Sequence, residues 1–76
     1  MTMSQTTENY LVDLGKEVLA LAEEAQQKAE MPANDFQRGR RAAFYEVLTL
    51  MKQQAQAFGL DEEAIALKGV NLESLL

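Results

Sequence analysis

Apolar residues recur at intervals of three and four along the first thirty residues of the chain. They form one stripe, made up of Leu11, Leu14, Val18, Leu21, Ala22, Ala25 and Ala29. This spacing is typical of an amphipathic helix and predicts one over residues 7–30. Thr6 or Thr7 can cap its start, and Pro32 ends it because proline disfavours helical geometry at the preceding residue. Residues 1–6 are small and polar, and we expect a disordered N-terminus there.

A second apolar stripe predicts a helix over residues 35–58. Asn34 and Gln37 have the spacing of a capping box, and Gly59 suits the position after the last turn, with Leu60 behind it. Only about four residues separate the two helices, so they must run antiparallel as a hairpin. Seventy-six residues make one domain at most, and we expect a single all-α domain over residues 7–76.

The last seventeen residues, LDEEAIALKGVNLESLL, predict a short helix over about 62–67 and a helical end over 72–76. Leu72, Leu75 and Leu76 match the Leu-x-x-Leu-Leu pattern that some partner proteins accept in an apolar groove. Leucine-rich helix ends produce the same pattern by chance. We therefore expect these leucines to cover the helical bundle.

The apolar residues of the second helix spread over an arc of roughly 160° at 100° per residue. The first helix alone cannot cover an arc this wide, so part of it would stay exposed in a simple hairpin. A homodimer that forms a four-helix bundle would cover this part, and the C-terminal residues folded over a monomer are the alternative. Gly15 inside the first helix suggests a close approach to a second subunit, or a tolerated surface glycine. The residues expected in the core or the dimer interface are Leu11, Leu14, Val18, Leu21, Phe36, Arg40, Phe44, Val47, Leu48, Met51 and Phe58.

Composition argues against catalysis and against a bound cofactor or metal. The chain has neither Cys nor His, and its four glycines are too scattered to form a phosphate-binding loop. Neighbouring carboxylates such as Glu62 and Glu63 point in different directions on a helix, so they make poor acid–base pairs. Since no signal peptide and no apolar run long enough for a membrane are visible, we expect a cytoplasmic protein that does not bind membranes.

The stretch QRGRRAAFYEVL contributes to two surfaces of the second helix. Arg40 falls within the apolar stripe, where a charge needs a partner. Glu23 or Glu30 of the first helix, or a carboxylate of a second subunit, could supply that partner. Arg38, Arg41, Tyr45 and Lys52 form an outward row on the opposite side, which we call the basic row.

The basic row is the best candidate for binding another macromolecule. Residues 35–58 carry four bases and two acids, a net charge of +2, whereas the whole chain has a net charge of −5. The acids of the first helix could balance these bases, or an external acidic partner could do so. We predict a non-catalytic interaction or regulatory protein that docks an acidic protein through this row. The alternative is a nucleic-acid-binding regulator of the small hairpin-dimer type, although an isoelectric point near 4.5 disfavours it.

Overall fold

The computed structural model describes residues 4–32 and 34–76, which form two long α-helices followed by two short 3₁₀ helices. Helix α1 is Gln5–Ala29 and helix α2 is Asp35–Ala57, and the 3₁₀ helices are Glu62–Ile65 and Leu72–Leu75. The described residues contain no β-strand. The prediction of an all-α protein built on a helical hairpin is therefore confirmed.

Helix α1 begins two residues before its predicted start. Ser4 is its N-cap, and the Ser4 hydroxyl accepts a hydrogen bond from the backbone N–H of Thr7 at 3.1 Å. A serine in this position satisfies one of the N–H groups that the first turn of a helix leaves without a partner. Residues predicted to be a disordered N-terminus are thus helical from Gln5 onward, and residues 1–3 lie outside the described part of the chain.

Asn34 does not form the predicted capping box. Its side chain makes no hydrogen bond to the N-terminal amides of α2, and its Nδ2 instead donates to the carbonyl oxygen of Lys28 at 2.9 Å. Gln37, the expected second member of the box, accepts a hydrogen bond from Arg40. The asparagine therefore joins the two ends of the hairpin turn, at a carbonyl that also accepts the backbone N–H of Met31 at 3.2 Å.

The end of α2 follows the prediction closely. Gly59 has a φ of +72°, and its N–H donates to the carbonyl of Gln56, while the N–H of Leu60 donates to the carbonyl of Ala55 at 2.8 Å. These two hydrogen bonds define a Schellman motif. The motif needs a residue with a left-handed backbone conformation at this position, and glycine adopts it without steric cost.

Residues 60–76, which we call the C-terminal segment, fold back against the hairpin of the same chain. Apolar residues of the segment meet Ala22 of α1 and both Leu48 and Ala55 of α2 in one buried core. The segment supplies four buried members of this core, namely Ile65, Leu67, Leu72 and Leu75. The Gln26 side chain also donates a hydrogen bond to the carbonyl of Ser74. The segment is therefore an integral part of the fold.

Gly15 marks the place where the C-terminal segment crosses α1. It is buried, and a Cβ atom built on it would overlap the carbonyl oxygen of Ile65. The close approach expected at this glycine therefore occurs within the chain, to the backbone of the first 3₁₀ helix. Only glycine allows the two backbones to come so near.

Candidate interaction surfaces of the hairpin

The C-terminal segment covers one side of the hairpin and leaves the other side in contact with solvent. Leu48 and Ala55, which lie toward the segment, are buried on α2. Six large apolar residues on the opposite side are exposed, and we call them the open face. Its members are Leu14, Leu21, Phe36, Val47, Leu50 and Phe58.

Exposure on the open face is greatest at its ends. Phe36 is 74% exposed and Phe58 is 78% exposed, while Val47 and Leu50 between them are 45% and 53% exposed. At 100° per residue, these four residues of α2 and its C-cap fall within a sector of roughly 80°, so they lie along one side of the helix, with Arg40 and Gln54 between them. Exposed apolar residues that are grouped on one side of a protein mark interaction sites more often than scattered ones do.

A shallow apolar groove lies at the Phe58 end of the open face. Leu11 and Leu14 of α1 form one wall, and Met51 of α2 and its C-cap residue Phe58 form the other. Ile65 of the C-terminal segment forms part of its lining. The groove connects the exposed face with the core, so a side chain inserted there would meet an almost wholly apolar lining.

The structure separates the four residues of the basic row. Tyr45 and Lys52 lie against the C-terminal segment and are only partly exposed. The Lys52 ammonium donates to the carbonyl of Val70 at 2.8 Å and lies 3.8 Å from a carboxylate oxygen of Glu62. The Tyr45 hydroxyl lies 3.5 Å from a carboxylate oxygen of Glu73. These two side chains thus hold the C-terminal segment to α2.

Arg38 and Arg41 lie toward the hairpin turn, beyond these contacts. Arg38 pairs with Asp35 of the same helix at 3.0 Å, and both side chains are well exposed. Within residues 4–32 and 34–76, no hydrogen bond or ion pair joins Arg41 to another side chain. In the part of the chain that the structure describes, no acid of α1 forms an ion pair with the basic row. Lys52 is paired with Glu62 of the C-terminal segment and Arg38 with Asp35 of α2, whereas Arg41 is left without such a pair there.

Arg40 lies at the edge of the open face and is partly exposed. Its Nη1 donates to the side-chain oxygen of Gln37 at 2.6 Å, and its guanidinium carbon lies 5.6 Å from the ring centroid of Phe44. This distance is within the range of a cation–π interaction. The expected ion pair to Glu23 or Glu30 does not form, because a partly hydrated guanidinium does not need a full counter-charge.

The charge of Arg40 acts on a different carboxylate of α1. A hydrogen bond from Lys28, with 2.7 Å between Nζ and Oε1, is the main cause that lowers the pKa of Glu24. The charge of Lys28 and, more weakly, that of Arg40 lower this pKa further. Lys28 is therefore the main electrostatic partner of Glu24, and Arg40 contributes only weakly.

The residues predicted for the core or the dimer interface divide into three groups in the single chain. Leu48 is buried. Leu11, Val18, Arg40, Phe44 and Met51 are partly buried. Leu14, Leu21, Phe36, Val47 and Phe58 are exposed.

Leu50 belongs to the open face but is missing from the predicted set. It lies at the edge of the apolar arc of α2, and the sequence gives no signal that the C-terminal segment would cover the opposite edge. The direction in which the segment folds decides which edge stays exposed.

Comparison of the chain with protein-family models, with curated proteins and with solved structures finds no significant match in any of the three. In the described part of the chain, neither α1 nor α2 combines the length and the apolar character needed to cross a bilayer.

Proposed function

We propose that this chain is a non-catalytic interaction protein whose working surface is the open face of the hairpin. The observation that carries the proposal is the one-sided packing of the molecule. The C-terminal segment seals one side, whereas two phenylalanines and four aliphatic residues stay exposed on the other. The chemistry of the open face favours a helical, apolar partner surface.

Association through the open face would be driven by the hydrophobic effect. Complete burial of an exposed Phe, Leu or Val side chain contributes about 1.5–3 kcal/mol. Phe36 and Phe58 are the most exposed of these side chains, so they have the most apolar area to bury. Aromatic residues of this kind commonly dominate the energy of protein interfaces.

A second copy of this chain is the partner that we propose for the open face, which gives a homodimeric four-helix bundle. Helix α2 has 23 residues and is about 35 Å long. The molecule is 21 Å across in its second dimension, so one side of the hairpin has a projected area of roughly 700 Å². A standard stable interface buries about 800 Å² of accessible surface on each partner, so most of this side would have to take part.

Two neighbouring alanines of α2 allow a matched test of this proposal. Ala43 lies in the sector of the open face, whereas Ala42 lies outside it, and both are exposed in the single chain. We expect Ala43→Glu to weaken self-association at least about tenfold, because one or more charges would be buried at the interface. Ala42→Glu should leave it unchanged. Sedimentation equilibrium measures both dissociation constants.

Circular dichroism provides the folding control for the two variants, which should retain equal helix content. Equal self-association of Ala42→Glu and Ala43→Glu would contradict the use of the open face as the working surface.

The Arg41 end of the basic row supports a second, charge-guided docking site for an acidic protein. Arg41 keeps its charge without an ion pair among the described residues, in a chain whose net charge is −5. A polyglutamate peptide titrated at low salt is a suitable probe, and Arg38→Glu combined with Arg41→Glu should abolish its binding. Retention of binding by this variant would contradict the site. A gel shift with RNA or duplex DNA in place of the peptide would favour the nucleic-acid alternative.

A further inference from the structure

The open face continues along α2 as a regular seam. Residues that alternate at spacings of four and three lie on its exposed side, and we call them the outer seam. They are Phe36, Arg40, Ala43, Val47, Leu50, Gln54 and Ala57. Arg40 is partly buried and the others are exposed. Spacing of this kind is the heptad pattern by which one helix pairs with another.

The outer seam is distinct from the stripe that packs inside the molecule. Leu48 and Ala55 are buried, and Phe44 and Met51 are packed against the core, so this inner stripe already has its partners in α1 and the C-terminal segment. The outer seam has no such partner among the described residues. Helix α2 therefore carries one seam for its own fold and a second one that remains available.

The charge of Arg40 selects the direction in which two outer seams can pair. In a parallel pair the same positions meet, so the two Arg40 guanidinium groups would lie in one layer of an apolar interface. Two like charges removed from water in this way repel strongly. In an antiparallel pair centred near Val47 they would be separated by 14 residues along the axis, or about 21 Å.

An antiparallel pair also gives Arg40 a suitable polar neighbour. With the two-fold axis near Val47, Arg40 of one copy lies at the level of Gln54 of the other. Arg40 uses one of its five N–H donors on Gln37, so others are free to donate to the side-chain oxygen of Gln54. The two polar residues of the outer seam would then satisfy each other across the interface.

The same axis brings the two most exposed aromatic residues together. Phe36 lies eleven residues before Val47 and Phe58 lies eleven residues after it. Each end of the interface would therefore contain a phenylalanine from both copies. A two-fold interface requires this reciprocity, because the same surface of each subunit serves both partners.

We infer that the second copy packs antiparallel, with α2 against α2 about a two-fold axis near Val47, and with Arg40 of each copy opposite Gln54 of the other. The two hairpin turns then lie at opposite ends of the four-helix bundle. This inference rests on the proposed function, since it specifies how a second copy occupies the open face.

Cysteine cross-linking tests this arrangement directly, because the chain has no cysteine of its own. Two full-length variants are needed, Phe36→Cys and Phe58→Cys, each treated with a short bismaleimide. In the antiparallel dimer the two copies of either cysteine are 22 residues apart along the axis, about 33 Å, so neither variant should cross-link alone. An equal mixture should give covalent dimers, and it keeps one intact pair of phenylalanines at the other end.

Each other outcome overturns a defined part of the inference. Cross-linking of Phe36→Cys alone would show parallel packing, which contradicts the inference and leaves the proposed dimer standing. No cross-linking in a sample whose mass is that of a dimer would contradict the pairing of α2 with α2. A single-chain mass for the wild-type protein would contradict the proposed dimer itself. If only the variants have this mass, because each lacks one phenylalanine, cross-linking is carried out at a higher concentration, where light scattering gives the mass of a dimer.

Discussion

Gly15 shows how much a single residue decides in a chain of this size. The C-terminal segment can reach the groove between α1 and α2 only because no side chain stands between Gly15 and the carbonyl of Ile65. A glycine within a helix costs about 1 kcal/mol relative to alanine. The close packing that it permits must outweigh this cost.

The two helical glycines of the hairpin provide a matched prediction at this scale. Gly15→Ala should lower the free energy of unfolding by about 1–3 kcal/mol, because the added methyl group forces the first 3₁₀ helix away from α1. The methyl group added by Gly39→Ala would have no neighbouring atom within 4 Å. This substitution should therefore raise the free energy of unfolding by about 0.5–1 kcal/mol, because alanine favours the helix more than glycine does. Urea denaturation measures both changes, and a stabilising effect of Gly15→Ala would contradict the packing described for the C-terminal segment.

At the scale of elements, the hydrophobic periodicity predicts the two helices and their antiparallel order well. Pro32, Gly59 and the spacing of the apolar residues suffice for this, because each acts through local backbone geometry. The C-terminal segment is harder to predict. Its first 3₁₀ helix ends at Ile65, two residues before the predicted end, and Ala66 after it has a φ of +60°, which is unusual for alanine. Because no glycine stands at this position, the sequence does not signal the end of the helix.

The C-terminal leucines give a second matched pair. Leu67 is completely buried, whereas Leu76 is largely exposed. Leu67→Ala should therefore lower the free energy of unfolding by about 2–5 kcal/mol, since it leaves a cavity in the core. Leu76→Ala should change it by no more than about 0.5 kcal/mol. Thermal and urea unfolding of the two variants would test this, and similar small losses in both would mean that the segment does not seal the core.

At the scale of the whole molecule, the candidate site depends on which side of the hairpin the C-terminal segment covers. The sequence places Tyr45 and Lys52 in an outward row of α2, whereas the structure packs both side chains against the C-terminal segment. The sequence cannot show that the segment would meet them there and bond to Lys52 through the Val70 carbonyl, because that contact joins residues 18 positions apart. Because the segment packs on this side of α2, Leu50 and Val47 stay exposed on the opposite side. The open face is thus a consequence of tertiary packing, which periodicity alone does not reveal.

The molecular mass in solution tests the central claim most directly. Multi-angle light scattering on the unmodified chain at concentrations from micromolar upward should give twice the 8.5 kDa of one chain, or 17.0 kDa. The dimer should dissociate on dilution, because two chains are released when the interface opens. A mass of 8.5 kDa throughout this range would contradict the claim that the open face binds a second copy.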